Sequence, residues 1–325
     1  MKSFMFRAAI ALIPVFAATA IHAADTYPRR PVRLIVPYTA GGATDLLARA
    51  VAARLGDALG QQVVADNRPG ANTIIGFGLQ ANAAPDGYTL LTGGFNGLVL
   101  NPLLYKKLPY DVERDIASVA LLGVSPLIVV VHPSVPAKTL KELVAYARAH
   151  PGAFNFASGG TGNVTHVAVE EFMSMTGIRM VHVPYKGGAA GIADQLSGQV
   201  QLKFDTPITA LPHVQAGRLR ALAVTSKKRL ASVPDVPTVA ELGHPSYEAA
   251  TWFSIMTRKG TPQAIIDRLN REIRNIVAQP DLRAQFAPLA IDLESGSPQS
   301  LDALVKSETK RWAEVIRKAH VTVEQ

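Results

Sequence analysis

The sequence predicts a two-lobed α/β protein, because a buried strand, a glycine-rich turn and a helix follow one another repeatedly in both halves of the chain. A length of 325 residues exceeds one typical domain and favours two. A composition that is 48% hydrophobic and 18% charged suits a well-buried globular chain. We therefore expect parallel sheets with helices on both faces, and two groups of glycine-rich loops that face each other across a cleft.

The first residues are typical of an export signal. Lys2 and Arg7 precede an apolar run over 8–20, and small residues follow at Ala23 and Ala24. The run is short for a bilayer span of about 20 residues, which disfavours a retained membrane anchor. We expect a signal peptide over 1–23, cleaved after Ala23 or Ala24. The formal charge then falls from +8 to +6, because the two bases leave with a segment that holds no acid.

Composition excludes several kinds of chemistry. The absence of cysteine excludes disulfides, thiol catalysis and cysteine metal sites. None of the eight histidines forms a His-x-x-x-His pair, so we expect neither a metal nor another cofactor. The bases are scattered without interleaved aromatic residues, so we expect no nucleic-acid partner.

The opening glycine-rich stretch, 36–45, is the first candidate site. It follows a strand predicted over 32–36 and precedes a helix with an inward stripe at Leu47, Val51, Leu55 and Leu59. Glycines allow close approach of a ligand, and the first N–H groups of a helix lack partners, so this turn could hold a carboxylate or phosphate. The alternative is an ordinary strand-to-helix turn without a ligand. The candidate contacts are Tyr38, Thr39, Ala40, Gly41, Gly42 and Asp45.

The rest of the first lobe is predicted as alternating strands and helices. A strand at 62–65 leads to a helix of small residues at 71–84, and a strand at 88–92 opens into a polar, flexible loop at 93–97. Ligands collect at the carboxyl ends of strands in such sheets. Asn96 is therefore a candidate donor, or else a residue that only stabilises the turn.

A second glycine-rich loop follows the crossing to the second lobe, which we place at 127–131. A strand at 154–157 leads into Ser158, Gly159, Gly160 and Thr161, and a helix follows. This loop is the second candidate anion site, so a ligand with two charged ends is favoured. His166 could be structural or could touch the ligand. Strands at 179–183 and 200–204 end at Tyr185 and Asp205, and Asp205 either accepts from a ligand or caps a turn.

The chain then returns to the first lobe. A strand over 219–225 precedes a turn-rich connection, and a strand over 252–257 is the returning one. Start signals at Thr261-Pro262 and Ser297-Pro298 predict two scaffold helices. We therefore assign 24–125 and 250–325 to lobe 1, and 126–249 to lobe 2.

A family resemblance covers nearly the whole mature chain. It rests on several short motifs in a fixed order: Tyr27-Pro28-x-x-Pro31-Val32, Val36-Pro37-Tyr38-x-x-Gly41-Gly42-x-x-Asp45, Asn67-Arg68-Pro69-Gly70-Ala71, Pro85-Asp86-Gly87-Tyr88-Thr89-Leu90, His182-Val183-Pro184-Tyr185-Lys186-Gly187, Leu219-Arg220-Ala221-Leu222-Ala223-Val224 and Pro234-Asp235-Val236-Pro237-Thr238. With these motifs the chain resembles the periplasmic solute receptors of the tripartite tricarboxylate transporter type, also called Bordetella uptake gene (Bug) receptors.

The resemblance implies a periplasmic binding protein of type II with a hinged cleft. We expect the chain to act as a monomer. It implies a small carboxylate ligand held by backbone N–H groups and ordered waters at 38–45 and 158–161, with Tyr185 and Asp205 nearby. The ligand would pass to a membrane permease or to a sensor protein. The loop after Phe156 departs from the family pattern with an inserted-looking Gly-Asn-Val. Dicarboxylates, tricarboxylates, acidic amino acids, aromatic acids and nicotinate-like acids therefore all stay open.

An exported hydrolase is the competing class. Ser158, His166 and Asp205 could be imagined as a catalytic triad, but no Gly-x-Ser-x-Gly elbow is present. We therefore expect a binding protein and no enzyme.

Overall fold

Two five-stranded sheets form the framework of the computed structural model, which describes residues 27–185, 187 and 190–323. One contains β1 (Val32–Val36), β2 (Val63–Asn67), β3 (Thr89–Gly94), β4 (Ile116–Pro126) and β10 (Ala250–Arg258), in the order β2-β1-β3-β10-β4. The other contains β5 (Ile128–Val131), β6 (Asn155–Ser158), β7 (Val181–Pro184), β8 (Leu202–Asp205) and β9 (Arg220–Val224), in the order β7-β6-β8-β5-β9. Each sheet with its packed helices is called a lobe below, first and second in chain order. The predicted two-lobed α/β class is confirmed.

Helices connect and cover these strands. They are α1 (Ala43–Leu59), α2 (Ile74–Ala81), α3 (Asn101–Leu104), α4 (Val112–Asp115), α5 (Leu140–Ala149), α6 (Val164–Thr176), α7 (Ile192–Leu196), α8 (Pro207–Gln215), α9 (Gln263–Val277), α10 (Pro280–Phe286) and α11 (Pro298–Ala319). The predicted stripe of α1 is buried, as expected for a helix with one face on a sheet. None of the helices in the described ranges is both long and apolar enough to cross a membrane. The predicted signal peptide lies outside the described residues.

Both sheets are mixed, which corrects the expectation of parallel sheets. β10 runs antiparallel to β3 and β4, and β5 runs antiparallel to β8 and β9. The reason is that these are the strands on which the chain changes lobe. Ala250 at the start of β10 pairs with Pro126 at the end of β4, so the two crossings lie side by side. The lobe boundaries at 126 and 250 stay a prediction.

A continuous apolar core joins the lobes. It includes Phe95 of the first lobe and Phe172 of the second. The fully buried Trp312 of α11 stacks edge-on against Phe95, with ring centroids 5.2 Å apart. The same helix packs on both β4 and α6. The C-terminal helix therefore belongs to the scaffold, and it also bridges the lobes.

Two local predictions are wrong. The segment predicted as one helix over 71–84 begins with the left-handed residues Ala71, Asn72 and Thr73, and α2 starts only at Ile74. The segment predicted as a flexible loop over 93–97 is buried, because β3 continues to Gly94 and the helical turn Asn96–Leu100 follows. Close packing favours glycine at 94 and 97. A Cβ on Gly94 would lie 2.0 Å from Trp252 O, and a Cβ on Gly97 would lie 2.0 Å from the Phe77 ring.

Candidate functional site

The opening loop is an exposed strand-to-helix turn with an uncapped helix start. Gly42 is the N-cap of α1 and supplies no side-chain cap. Among the described residues, none accepts a hydrogen bond from the N–H groups of Ala43 and Thr44. Gly41 has φ of +84°, a conformation that glycine adopts without strain. A Cβ on Gly42 would meet only Thr39 O, at 3.8 Å, so the approach to these N–H groups is open.

Asp45 supports this loop from within. Its Oδ2 accepts from the Gly41 N–H at 2.9 Å, and its Oδ1 accepts from Asn67 at 2.8 Å and Arg49 at 3.0 Å. Burial alone would raise the pKa of this carboxyl, but these hydrogen bonds outweigh burial and hold the pKa below its usual range. Asp45 is 2% exposed and its oxygens are engaged, so the structure gives it a bracing role, and its predicted ligand contact stays a prediction.

Tyr38 stands at the inner end of the same loop. Its backbone carbonyl accepts from Asn67 Nδ2 at 3.1 Å, which ties it to the Asp45 brace. Burial raises the pKa of the Tyr38 hydroxyl, so the group stays protonated and can donate to a ligand oxygen. The loop that Asp45 and Asn67 hold in place thus presents one continuous surface, made by Tyr38, Thr39, Ala40, Gly41 and Gly42. Its contacts with a ligand stay a prediction.

The second loop differs, because its N–H groups are largely used within the protein. Five backbone N–H groups between residues 159 and 165 donate to side chains at 2.9–3.2 Å. The pairs are Gly159 N to Thr165 Oγ1, Gly160 N to Ser158 Oγ, Gly162 N to His166 Nδ1, Val164 N to Asn96 Oδ1 and Thr165 N to Asn163 Oδ1. The predicted second anion site is therefore not an open helix terminus. Within the described part of this loop, Thr161 is the half-exposed residue whose hydroxyl and N–H have no protein partner.

A histidine that sequence reasoning missed lies beneath this loop. His182 Nε2 is 2.6 Å from the buried Ser158 Oγ, and the ring stacks on His166 at 3.9 Å between centroids. Burial, with His166 adding to it, lowers the pKa of His182 to about 4, so the imidazole is neutral at pH 7. His166 accepts a hydrogen bond from the Gly162 N–H through Nδ1, and its Nε2 is 3.3 Å from Glu170 Oε1.

The imagined triad of Ser158, His166 and Asp205 is not formed. Asp205 is fully buried, where its Oδ2 accepts from Lys203 Nζ at 2.8 Å and its Oδ1 from Thr206 N at 2.8 Å. The sequence alternative in which Asp205 caps a turn is therefore the one that the geometry supports. Within the described ranges, no group of three or more His, Asp or Glu side chains could hold a metal ion.

Tyr185 faces the second loop with its hydroxyl already engaged. The hydroxyl donates to Asp194 Oδ2 at 2.6 Å, and burial together with that carboxylate raises the pKa of Tyr185 to about 12. Its backbone N–H donates to Ser158 O at 3.1 Å. The predicted contact of Tyr185 with a ligand stays a prediction. The neighbouring Lys186, Gly188 and Ala189 lie outside the described residues.

Asn96 connects the lobes and does not point to an open cleft. It is buried, its Oδ1 accepts from Val164 N at 3.2 Å, and its Nδ2 donates to Asn72 Oδ1 at 3.3 Å. Asn72 and Asn101 were not singled out from the sequence. The one local signal was Asn72 itself, since asparagine after Pro69-Gly70 tolerates a left-handed backbone.

Comparison with known proteins gives consistent matches over most of the chain. A family model described as "Tripartite tricarboxylate transporter family receptor" matches residues 47–321. The Protein BugT of Bordetella pertussis is 38% identical over 313 residues, covering 95% of this chain and 96% of that protein.

Solved structures give the same fold. The structure "R. palustris Rpa4515 with adipate" has a TM-score of 0.87 at 35% identity, covering 91% of this chain and 99% of that one. MatC (Rpa3494) from Rhodopseudomonas palustris, solved with bound malate, has a TM-score of 0.82 at 30% identity, covering 89% and 100%.

Proposed function

The chain belongs to the tripartite tricarboxylate transporter receptor family, and from this premise we propose that it is a periplasmic protein that captures a small carboxylate between its lobes. It is a solute-binding protein by family, and no catalytic step is needed for this role. The ligand would be passed to the membrane permease of a tripartite tricarboxylate transporter. The relatives solved with adipate and malate support a carboxylate as the ligand class.

One observation carries the choice of a carboxylate. The N–H groups at the start of α1 have no acceptor among the described residues, they lie at the positive end of the helix dipole, and Gly41 and Gly42 leave them accessible. Asp45 fixes the loop through the Gly41 N–H, so these donors are pre-organised before a ligand arrives. Hydrogen bonds from such donors to an ionised carboxylate are stronger than neutral ones.

The remaining contacts would come from one residue of each lobe. Tyr38 offers a protonated hydroxyl beside the opening loop. Thr161 on the second loop offers a hydroxyl and an N–H that have no partner among the described residues. We leave Asp45, Asn96, Ser158 and Asp205 out of the contact set, because each is buried and engaged elsewhere. A ligand that touches both lobes would favour the closed form, as population shift requires.

A single substitution on the opening loop tests this proposal. Gly42→Val places a branched side chain over the start of α1, at a position where the backbone φ is −80° and a Cβ has room. Removing one charge-assisted hydrogen bond is worth about 1.5–3 kcal/mol, so affinity should fall at least about tenfold while the fold survives. The measurement is calorimetric titration of unfolded-and-refolded protein with adipate, malate, citrate, glutamate and benzoate.

Ala58→Val is the matched control, because Ala58 is an exposed residue near the other end of the same helix. It should bind like the wild type. Equal affinities for Gly42→Val and Ala58→Val would remove the opening loop from the site. Failure of the wild type to bind any of these acids would contradict the ligand class.

A further inference from the structure

A run of three left-handed residues stands at the boundary between the lobes. Ala71, Asn72 and Thr73 have φ of 45°, 49° and 76°, and they follow Gly70 at 132°. Residues that carry a Cβ rarely adopt this conformation, and a run of three is more unusual than a single one. Backbone strain of this kind persists only where surrounding contacts enforce it, and it clusters at sites that switch or bind. We call residues 71–73 the strained turn.

Short hydrogen bonds within the first lobe hold the strained turn. The buried Asn101 donates through Nδ2 to Asn72 O at 2.8 Å and accepts through Oδ1 from Asn72 Nδ2 at 2.8 Å. Its Nδ2 also lies 3.4 Å from Thr73 Oγ1. This reciprocal pair fixes both the backbone and the side chain of Asn72 from one side. The Asn72 amide is therefore pre-oriented toward the second lobe.

Longer hydrogen bonds cross to the second lobe. Asn72 Nδ2 donates to Gly162 O at 3.4 Å, and Asn96 Oδ1 accepts from Val164 N at 3.2 Å. Asn96 and Asn72 are joined to each other at 3.3 Å. Gly162 and Val164 belong to the second loop and to the start of α6. The two Asn72–Asn101 bonds inside the first lobe are the shortest of the set, at 2.8 Å, and the two bonds that cross to the second lobe are longer, at 3.2 and 3.4 Å.

The backbone of Gly162 also packs closely against side chains of the first lobe at this point. A Cβ on Gly162 would lie 2.9 Å from Leu104 of the first lobe and 3.0 Å from Val323 near the C-terminus. Gly162 has φ of +77°, so glycine is favoured there for conformation as well as for space. The second loop consequently contacts side chains of the first lobe directly through the Gly162 backbone.

We propose that Asn72, Asn96 and Asn101 form a closing latch, and that Asn72 is a positioning residue that raises ligand affinity without touching the ligand. The latch holds a fraction of the protein closed before ligand binds. Apparent affinity scales with that fraction, so losing the latch weakens every ligand by the same factor. The inference rests on the proposed function, because it assumes that closure creates the complete carboxylate site.

Distance measurement on the ligand-free protein tests the latch directly. The chain has no cysteine, so Lys107→Cys on the first lobe and Lys228→Cys on the second give two unique and exposed sites for spin labels. Asn72→Gly removes the amide but keeps the left-handed backbone, which glycine adopts without strain, so folding is retained. Asn82→Ala is the control, since the exposed Asn82 side chain donates to Gly78 O within the first lobe and is not among the groups that cross the lobes.

The wild type and Asn82→Ala should both show a short-distance population. In Asn72→Gly the ratio of the short-distance to the long-distance population should fall about tenfold, which is the effect expected for the loss of one hydrogen bond. Gly162→Ala, which wedges the same contact from the other lobe, should shift the distances in the same direction. Identical distributions for Asn72→Gly and wild type would overturn the latch. A ligand-free wild type that populates only the long distance would overturn it as well.

Adding saturating adipate, malate or citrate separates this inference from the proposed function. Suppose that these acids shorten the distance in the wild type, but that Asn72→Gly and the wild type have the same distance distribution without ligand. The latch is then wrong and the proposed function stands. If none of the acids shortens the distance, the proposed carboxylate is wrong, and the ligand-free comparison still decides the latch. A uniform loss of affinity across acids in Asn72→Gly is the result expected of a positioning residue.

Discussion

Glu171 on α6 is a buried carboxyl group that faces the C-terminal helix. Its Oε1 is 3.5 Å from Arg311 Nη2 on α11, while its Oε2 is buried without a hydrogen-bond partner among the described residues. Burial raises the pKa of Glu171 to about 7, Glu308 adds to the rise, and Arg311 opposes it. The folded protein therefore holds a proton on this side chain under conditions in which the unfolded chain has lost it.

The sign of the pH dependence follows from this difference. Between about pH 4.5 and 7 the folded state binds more protons at this site than the unfolded state, so the free energy of unfolding falls as pH rises through that window. The contribution is fully present below the ordinary pKa of the carboxyl and is lost above about 7. The difference between the two pKa values corresponds to about 3 kcal/mol.

Glu171→Gln removes this titration while it keeps the size of the side chain and an acceptor for Arg311. We expect the wild type to lose about 3 kcal/mol of unfolding free energy, relative to the variant, between about pH 5 and pH 8. At the acid end the two proteins should be nearly equal, and at the alkaline end the variant should be the more stable. Urea unfolding at fixed temperature across this range measures the difference.

Glu314→Gln is the matched control, because Glu314 is an exposed residue of α11. Its stability should follow the wild type at every pH. Parallel curves for wild type and Glu171→Gln would refute the reasoning, since the carboxyl would then titrate alike in the folded and unfolded states.

Two further substitutions test the loops. Asp45→Asn removes the negative charge to which Arg49 and the Gly41 N–H donate, so the free energy of unfolding measured by thermal unfolding should drop by about 1–3 kcal/mol. Carboxylate affinity should fall with it. Unchanged affinity would mean that Asp45 does not shape the site. Ser158→Ala leaves the Gly160 N–H and His182 without the hydroxyl that both contact, so the free energy of unfolding should fall by about 1–3 kcal/mol. Ester hydrolysis should stay at the background rate in both the wild type and the variant. Wild-type turnover that vanishes in Ser158→Ala would contradict a non-catalytic protein.

Local sequence patterns predicted most of the elements but not how the strands pair. The stripe of α1 and the capping box that starts α5, in which Thr139 Oγ1 accepts from Glu142 N, were both predictable from neighbouring residues. The antiparallel direction of β10 was not, because it depends on a strand more than a hundred residues away. The left-handed run at 71–73 was hidden inside a pattern that is typical of a helix.

The candidate site shows the same division. The rule that ligand residues follow the carboxyl ends of strands pointed to the opening loop, which is exposed and whose first helical N–H groups have no acceptor among the described residues; its role as a ligand site stays a prediction. It could not tell that Asp205 pairs with Lys203, or that Asn96 caps a helix 68 residues later. Whether a polar side chain at a strand end is free or engaged is decided by distant partners, and one sequence does not reveal them.

We propose that an ionised carboxylate binds between the lobes at the start of α1. A thermal-shift screen of unfolded-and-refolded protein against carboxylates, their neutral amides, phosphates and sugars tests it most directly, because refolding removes any ligand carried through purification. A carboxylate at about 100 times its dissociation constant should stabilise the protein by roughly 2.7 kcal/mol, and its amide should give no shift. Stabilisation by a sugar or a phosphate with no response to any carboxylate would contradict the claim.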